Sequence, residues 1–374
     1  MKKKMTLLLT LMFIIGLLSG CGSSSQSKEI ALGLTAPMTG DYAEYGNAFK
    51  NAIELAIEKA NAEGGINGKK LKLVVGDSKA DPKEAANIAQ KFVADSSIQA
   101  VIGDFTSTAA FAGSPIYQKN GLVQLSPTSS HPDFTKGGNF IFRNISTQAD
   151  EGPIVARYAV NDLQKKKIAV IYINNDWGVV AKDNFIKGVQ EAGGEIVDVE
   201  AYLPEQGKDF SAIITKIRDK NPDMLYLGCM YTDGALIAQQ TRKMNFNIDL
   251  IGTASLYSDE LLKLGGSAVE GFHMTCSFFP GDQRPEVQDF VKRYNAKYGK
   301  NPTMFAAQAY DAANMVIKAL KDGATDRKSL RDKLAGIKDF AGVTGVTSFD
   351  ENRNVKKEIS KLVIKDGKYT QFTN

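Results

Sequence analysis

The chain has 374 residues, with 46 Lys and Arg against 42 Asp and Glu. This near balance excludes the concentrated basic face that nucleic-acid binding requires. The length exceeds what a single core usually serves, so two domains are expected. Of the two His, neither has a Cys or His partner at ligand spacing, so a His-based metal site is not expected, while oxygen-only sites stay open.

The chain opens with Lys2, Lys3 and Lys4, an apolar run from Leu7 to Leu18, and then Ser19-Gly20. This basic-apolar-small pattern over residues 1–20 reads as a secretory leader, its run too short to span a bilayer comfortably. Leu18-Ser19-Gly20-Cys21 resembles a bacterial lipoprotein cleavage site, which implies a diacylglycerol on the Cys21 sulfur. Two acyl chains hold where one would only visit a membrane. Residues 21–28 are then a lipidated Cys and a Ser-rich flexible tether. Three lysines leave with the leader, so 46 basic side chains become 43 against 42 acidic ones.

From Ile30 onward strands and helices alternate. Strands are expected at 30–34, 71–75, 100–103 and 122–125, with helices over 46–61, 82–95 and 107–119 between them. Asp81-Pro82-Lys83-Glu84 supplies an N-cap, a first-turn Pro and a capping-box acid for the second helix. The alternation resumes with strands at 168–173, 195–202, 224–228, 250–252 and 271–278, and helices over 178–192, 210–220 and 233–244. Helical patterns follow over 285–298, 305–322 and 326–335, then strands at 347–349 and 359–364. Steady alternation of this kind predicts α/β lobes with parallel sheets, and there are units enough for two. Cys229 and Cys276 stand at strand ends and are expected as buried thiols, their pairing left open.

Open α/β sheets bind ligands outside the carboxyl ends of their strands. Two such ends are rich in hydroxyls: Asp104-Phe105-Thr106-Ser107-Thr108, and Ser126-Pro127-Thr128-Ser129-Ser130. Hydroxyls and free N–H groups at a helix start suit a carboxylate, although Ser and Thr also serve ordinary turns and caps. Aromatic residues mark other ends: Tyr42 and Tyr45 after the first strand, Trp177 after 168–173, and Tyr231 beside Asp233 after 224–228. Rings there cover a ligand or pack locally. No nucleophile elbow, zincin helix or phosphate loop is present, so neither enzyme chemistry nor a cofactor is expected.

Pro37-Met38-Thr39-Gly40 through Tyr45-Gly46, then Ala60-Asn61-x-x-Gly64-Gly65-Ile66-x-Gly68, Leu125-Ser126-Pro127, Asp209-Phe210-Ser211 and Tyr310-Asp311-Ala312 together resemble the type I periplasmic binding proteins. The resemblance is to their leucine/isoleucine/valine-binding branch, and it covers residues 29–374. It implies two Rossmann-like lobes joined by three hinge crossings, 29–147 plus 280–350 and 148–279 plus 351–374. It implies an amino acid or small carboxylate bound between the lobes and delivered to a membrane ABC permease. The lipid anchor would place the protein on the outer face of the cell membrane, as in Gram-positive bacteria. By resemblance Ser107, with Ser129 and Ser130 in the segment that includes Thr128, would hold the ligand's polar groups, and Tyr45, Trp177 and Tyr231 would line the pocket. One departure stands out: Ala254 occupies the place of the acid that meets the ligand ammonium. Either another acid replaces it, Asp233 or Asp104, or the ligand lacks an α-amino group. A sensor that signals to a membrane kinase or receptor is the other functional class compatible with these residues.

Overall fold

The computed structural model describes residues 29–204 and 207–373; the expected leader, Cys21 and the tether lie outside them. The first sheet contains β1 (Glu29–Ala36), β2 (Lys70–Asp77), β3 (Ile98–Gly103), β4 (Val123–Ser126) and β5 (Ile141–Arg143). Its order is β2-β1-β3-β4-β5, and every pairing is parallel. The connecting helices are α1 (Ala43–Ala62), α2 (Pro82–Ala94) and α3 (Ser107–Lys119). Asp81 caps α2 through the Glu84 amide, with Pro82 at the first turn. Both features follow the sequence expectation.

The second lobe starts with α4 (Gln148–Arg157). Strands β6 (Lys167–Ile173), β7 (Glu195–Tyr202), β8 (Met224–Gly228), β9 (Asp249–Gly252) and β10 (His273–Cys276) then alternate with α5 (Asp176–Glu191), α6 (Ser211–Arg218), α7 (Tyr231–Lys243) and α8 (Asp259–Gly265). The chain returns to the first lobe with α9 (Pro285–Tyr298), α10 (Met304–Lys321) and α11 (Arg327–Ala335), and α10 packs along α1. A two-stranded hairpin of β11 (Phe340–Gly342) and β12 (Gly345–Thr347) follows. Strands β13 (Ser360–Lys365) and β14 (Lys368–Gln371) then add antiparallel to β10 at the edge of the second sheet. The chain therefore passes between the lobes three times.

Central strands read as unbroken apolar runs because helices cover both faces. In β6, Ile168-Ala169-Val170-Ile171 is wholly buried. Between 134 and 165 the sequence pattern predicts no element, yet β5 and α4 form there. Gly152-Pro153 inside α4 reads locally as a breaker, but packing overrides it. A Cβ on Gly152 would sit 2.7 Å from the Asn184 side chain, and one on Gly188 would sit 2.8 Å from Pro153. These two glycines let α4 and α5 approach closely enough to lock together. The edge elements α8, β11 and β14 are also absent from the sequence reading, and the expected strand at 347–349 forms two residues earlier. Both Cys229 and Cys276 are buried and unpaired. Burial pushes the Cys276 thiol up to about 12.

A buried polar network secures the last crossing. The Asp311 carboxylate on α10 accepts the Val343 amide at 2.9 Å, the Thr344 amide at 2.8 Å and the Thr344 hydroxyl. The same hydroxyl accepts from Lys357 Nζ at 2.8 Å, and burial pulls that amine down to about 8. Removing one member of a buried charged pair costs about 3–5 kcal/mol. Asp311→Ala is expected to lose that much in urea denaturation. A loss below about 1 kcal/mol would show that this network does not hold the crossing.

Candidate functional site

The carboxyl ends of both sheets face each other across a cavity of about 40 Å³ whose lining residues are mostly buried. That is room for a few waters. Larger open grooves of about 490 and 510 Å³ lie elsewhere, one beside α10 and one at the amino ends of β1 and β3.

The first lobe supplies the hydroxyl wall. Thr106 caps α3 through the Ala109 amide at 3.2 Å, which leaves Ser107 as the first helical residue. The first N–H groups of a helix have no partner within it and carry its positive dipole end. Ser107 is one of the cavity-lining residues and is 1% exposed, and its Oγ is buried with no hydrogen-bond partner. Thr128 also lines the cavity, but its hydroxyl donates to the Phe105 carbonyl at 2.7 Å. Ser130 Oγ accepts from Trp177 Nε1 at 3.1 Å and Gln148 Nε2 at 3.2 Å, so its own proton is left for the cavity. The segment carrying these hydroxyls is held by Arg143, which is fully buried. Its guanidinium donates to the carbonyls of Ser129 (3.0 Å), His131 (2.7 Å) and Pro132 (3.0 Å), and burial pulls it down to about 10.

The second lobe supplies Trp177 at the start of α5, Met230 after β8, and Thr253, Ala254 and Ser255 after β9. Phe305 on α10 and Phe105 close the apolar side. The crossing into α4 brings in two residues that the sequence reading lacks, Gln148 and Glu151. Thr147 and Asp150 form a capping box that starts α4. That Thr-x-x-Asp spacing is the local signal that could have revealed the helix. Gln148 and Glu151 lie three residues apart and therefore on one helix face.

Four of the expected ligand residues line the cavity: Ser107, Thr128, Ser130 and Trp177. The other four stand behind the wall. Tyr45 stacks on Phe105 with centroids 4.1 Å apart, and its hydroxyl donates to the Ser255 carbonyl at 2.6 Å across the cleft. Tyr231 packs edge-on against Tyr45, and its hydroxyl donates to the Asp41 carbonyl at 2.9 Å. Tyr45 and Tyr231 thus tie the two lobes in a closed arrangement. Ser129 turns inward, its Oγ 2.8 Å from Ser126 Oγ. Asp233 is already satisfied by Tyr202 and Lys208, each at 2.7 Å.

Asp104 also lies outside the cavity lining. It is 1% exposed, one oxygen accepts the Phe105 amide at 2.6 Å, and the other has no hydrogen-bond partner. Burial pushes its carboxyl from 3.8 up to about 6.

Two facing α/β lobes with a cleft between them and three crossing segments define a class of hinged, two-lobed binding proteins. The comparisons with known proteins narrow this further. The family model for periplasmic binding proteins matches residues 29–367, and the chain belongs to that family. It is 30% identical over 332 residues to Leu/Ile/Val-binding protein homolog 1 of Brucella suis, with 88% of each chain covered. Among solved structures it resembles a leucine binding protein from Thermotoga maritima, with TM-score 0.86, 28% identity, and 92% of this chain and 98% of that one covered. It also resembles a branched-chain amino acid transporter substrate binding protein from Streptococcus pneumoniae in complex with isoleucine, with TM-score 0.86, 30% identity, and 91% and 97% covered. A solute binding protein of an ABC transporter from Rhodopseudomonas palustris, in complex with 3,4-dihydroxybenzoic acid, reaches TM-score 0.84 at 25% identity, with 92% and 97% covered.

The raised Asp104 carboxyl gives a pH signature. Well below pH 3.8 both folded and unfolded chains hold the proton, and the group is neutral in its effect. As pH rises from 3.8 to about 6 the unfolded chain releases the proton while the folded chain keeps it, so this group increasingly destabilises the fold, by up to about 3 kcal/mol above pH 6. Asp104→Asn is expected to raise the melting temperature at pH 7.5, with the gain vanishing near pH 4. A gain that does not change with pH would contradict this assignment.

Proposed function

We infer that this protein is the extracytoplasmic substrate-binding component of an ABC importer. Its ligand is a small carboxylate, with amino acids of the branched-chain type the leading class. The observation that carries this reading is Ser107, a residue of the interlobe cavity wall at the start of a 13-residue helix, whose Oγ is buried without a partner. A buried hydroxyl left unpaired is costly, and a carboxylate there would satisfy it together with the helix N–H groups. The names of the relatives support the amino acid class, and the neighbour in complex with 3,4-dihydroxybenzoic acid supports a small carboxylate as the ligand class.

In this reading the lobes open to admit ligand and close over it, as a hinge. Ligand shifts the balance only through contacts made in the closed form. The closed form is what a membrane permease would engage. Cys21 would carry the lipid that keeps the domain at the membrane surface, since a diacyl anchor is effectively stable. The same closure would serve a sensor, and neighbouring permease and ATPase genes would distinguish import from sensing.

The first test is a thermal-shift screen of residues 22–374 against amino acids and simple carboxylates. A ligand that binds only the folded state must raise the melting temperature. Absence of any shift across both sets would contradict the reading. The site makes a sharper prediction. Ser107→Ala removes a charge-assisted bond and is expected to weaken carboxylate binding by about 1–3 kcal/mol in calorimetry. Unchanged affinity would put the carboxylate elsewhere.

A further inference from the structure

Part of the cavity wall is built around Glu151. This residue is 7% exposed and lines the cavity. Its Oε1 accepts the Ala254 amide at 3.1 Å and the Thr275 hydroxyl at 2.6 Å. Its Oε2 accepts Gln148 Nε2 at 2.8 Å. All three donors are neutral, and among the described residues no Lys, Arg or His nitrogen is bonded to this carboxylate. A buried charge is costly unless an opposite charge meets it.

Gln148 extends the same deficit. Its Nε2 is committed to Glu151 and to Ser130 Oγ, so its Oε1 is the atom left over. That oxygen is buried and has no donor. This part of the cavity wall therefore presents acceptors in need of protons and a negative charge in need of a cation. A primary ammonium carries three donors, a positive charge and no acceptor.

We propose that Glu151 and Gln148 on α4 form a cation subsite, and that the ligand is a zwitterion with its primary amine on α4 and its carboxylate at the start of α3. This proposal rests on the carboxylate-binding reading above and names the other half of the ligand. The site gains its acid from the first helix after the first crossing, while the cavity-lining residues after β9, Thr253, Ala254 and Ser255, carry no acid, and the Ala254 backbone amide binds Glu151. The competing chemistry is a Glu151 that keeps only its three neutral partners and takes no part in ligand binding. Such a site would not favour an amino acid over a carboxylate without an amine.

Titration calorimetry on native protein, Glu151→Gln and Glu151→Asp separates the two. The probes are leucine with 4-methylpentanoate, and alanine with propanoate, each pair differing only in the amine. Native protein is expected to favour an amino acid over its deaminated partner by about tenfold or more. Glu151→Gln should abolish that preference by weakening the amino acid while leaving the deaminated acid unchanged. Glu151→Asp, which keeps the charge, should retain part of the preference, and it decides the case if the Gln variant melts below the assay temperature. Equal native affinity for both members of each pair would overturn the proposal. So would a Gln variant with its preference intact, or, where only the Asp variant folds, one that loses both members of a pair alike. If native protein binds none of the four probes, the carboxylate reading fails and the proposal with it.

Discussion

Polar atoms shut between two lobes must find partners, and this constraint organises the protein. Each lobe ends its strands in groups that are costly to bury alone. On one side stand Ser107 Oγ and the start of α3; on the other stand the Glu151 carboxylate and Gln148 Oε1. In the proposed function, water would satisfy them when the lobes part, and a bound molecule would take over when they close. A cleft of this kind selects its ligand by what it leaves unpaired, because an incorrect ligand strands buried polar groups.

The rest of the structure holds those groups in place. Arg143 gathers three carbonyls and so shapes the Ser126–Pro132 segment from beneath. Gly152 and Gly188 bring α4 against α5, which fixes the helix that carries Gln148 and Glu151. Tyr45 supports the apolar wall through Phe105 and reaches across the cleft to Ser255. Trp177 does the same from the second lobe by donating to Ser130. The contacts between the lobes therefore lie in and around the cavity wall, so a ligand bound there as proposed would be coupled to lobe position.

Much of this is legible in the sequence. The alternation of strands and helices announces two parallel sheets, and the rule that ligands bind at strand ends leads to Ser107, Thr128, Ser130 and Trp177. The parts that are not legible share a cause. Glu151 belongs to a helix whose pattern is broken by Gly152-Pro153, and it meets Ala254 and Thr275 more than 100 residues away. Nothing local records such a contact. Asp233 is equally ambiguous from sequence, since only the fold brings Tyr202 and Lys208 to it. The acid missing at Ala254 is a clear departure in sequence, but the residue that fills the place appears only when the first crossing is seen against the second sheet.

The most direct test of this account is a crystal structure of the protein with the amino acid that most raises its melting temperature. The account predicts the ligand ammonium roughly 2.7–2.9 Å from Glu151, with its carboxylate on Ser107 and the first N–H groups of α3. A ligand bound in the reverse sense, or an ammonium held by another acid while Glu151 keeps only its neutral partners, would contradict it.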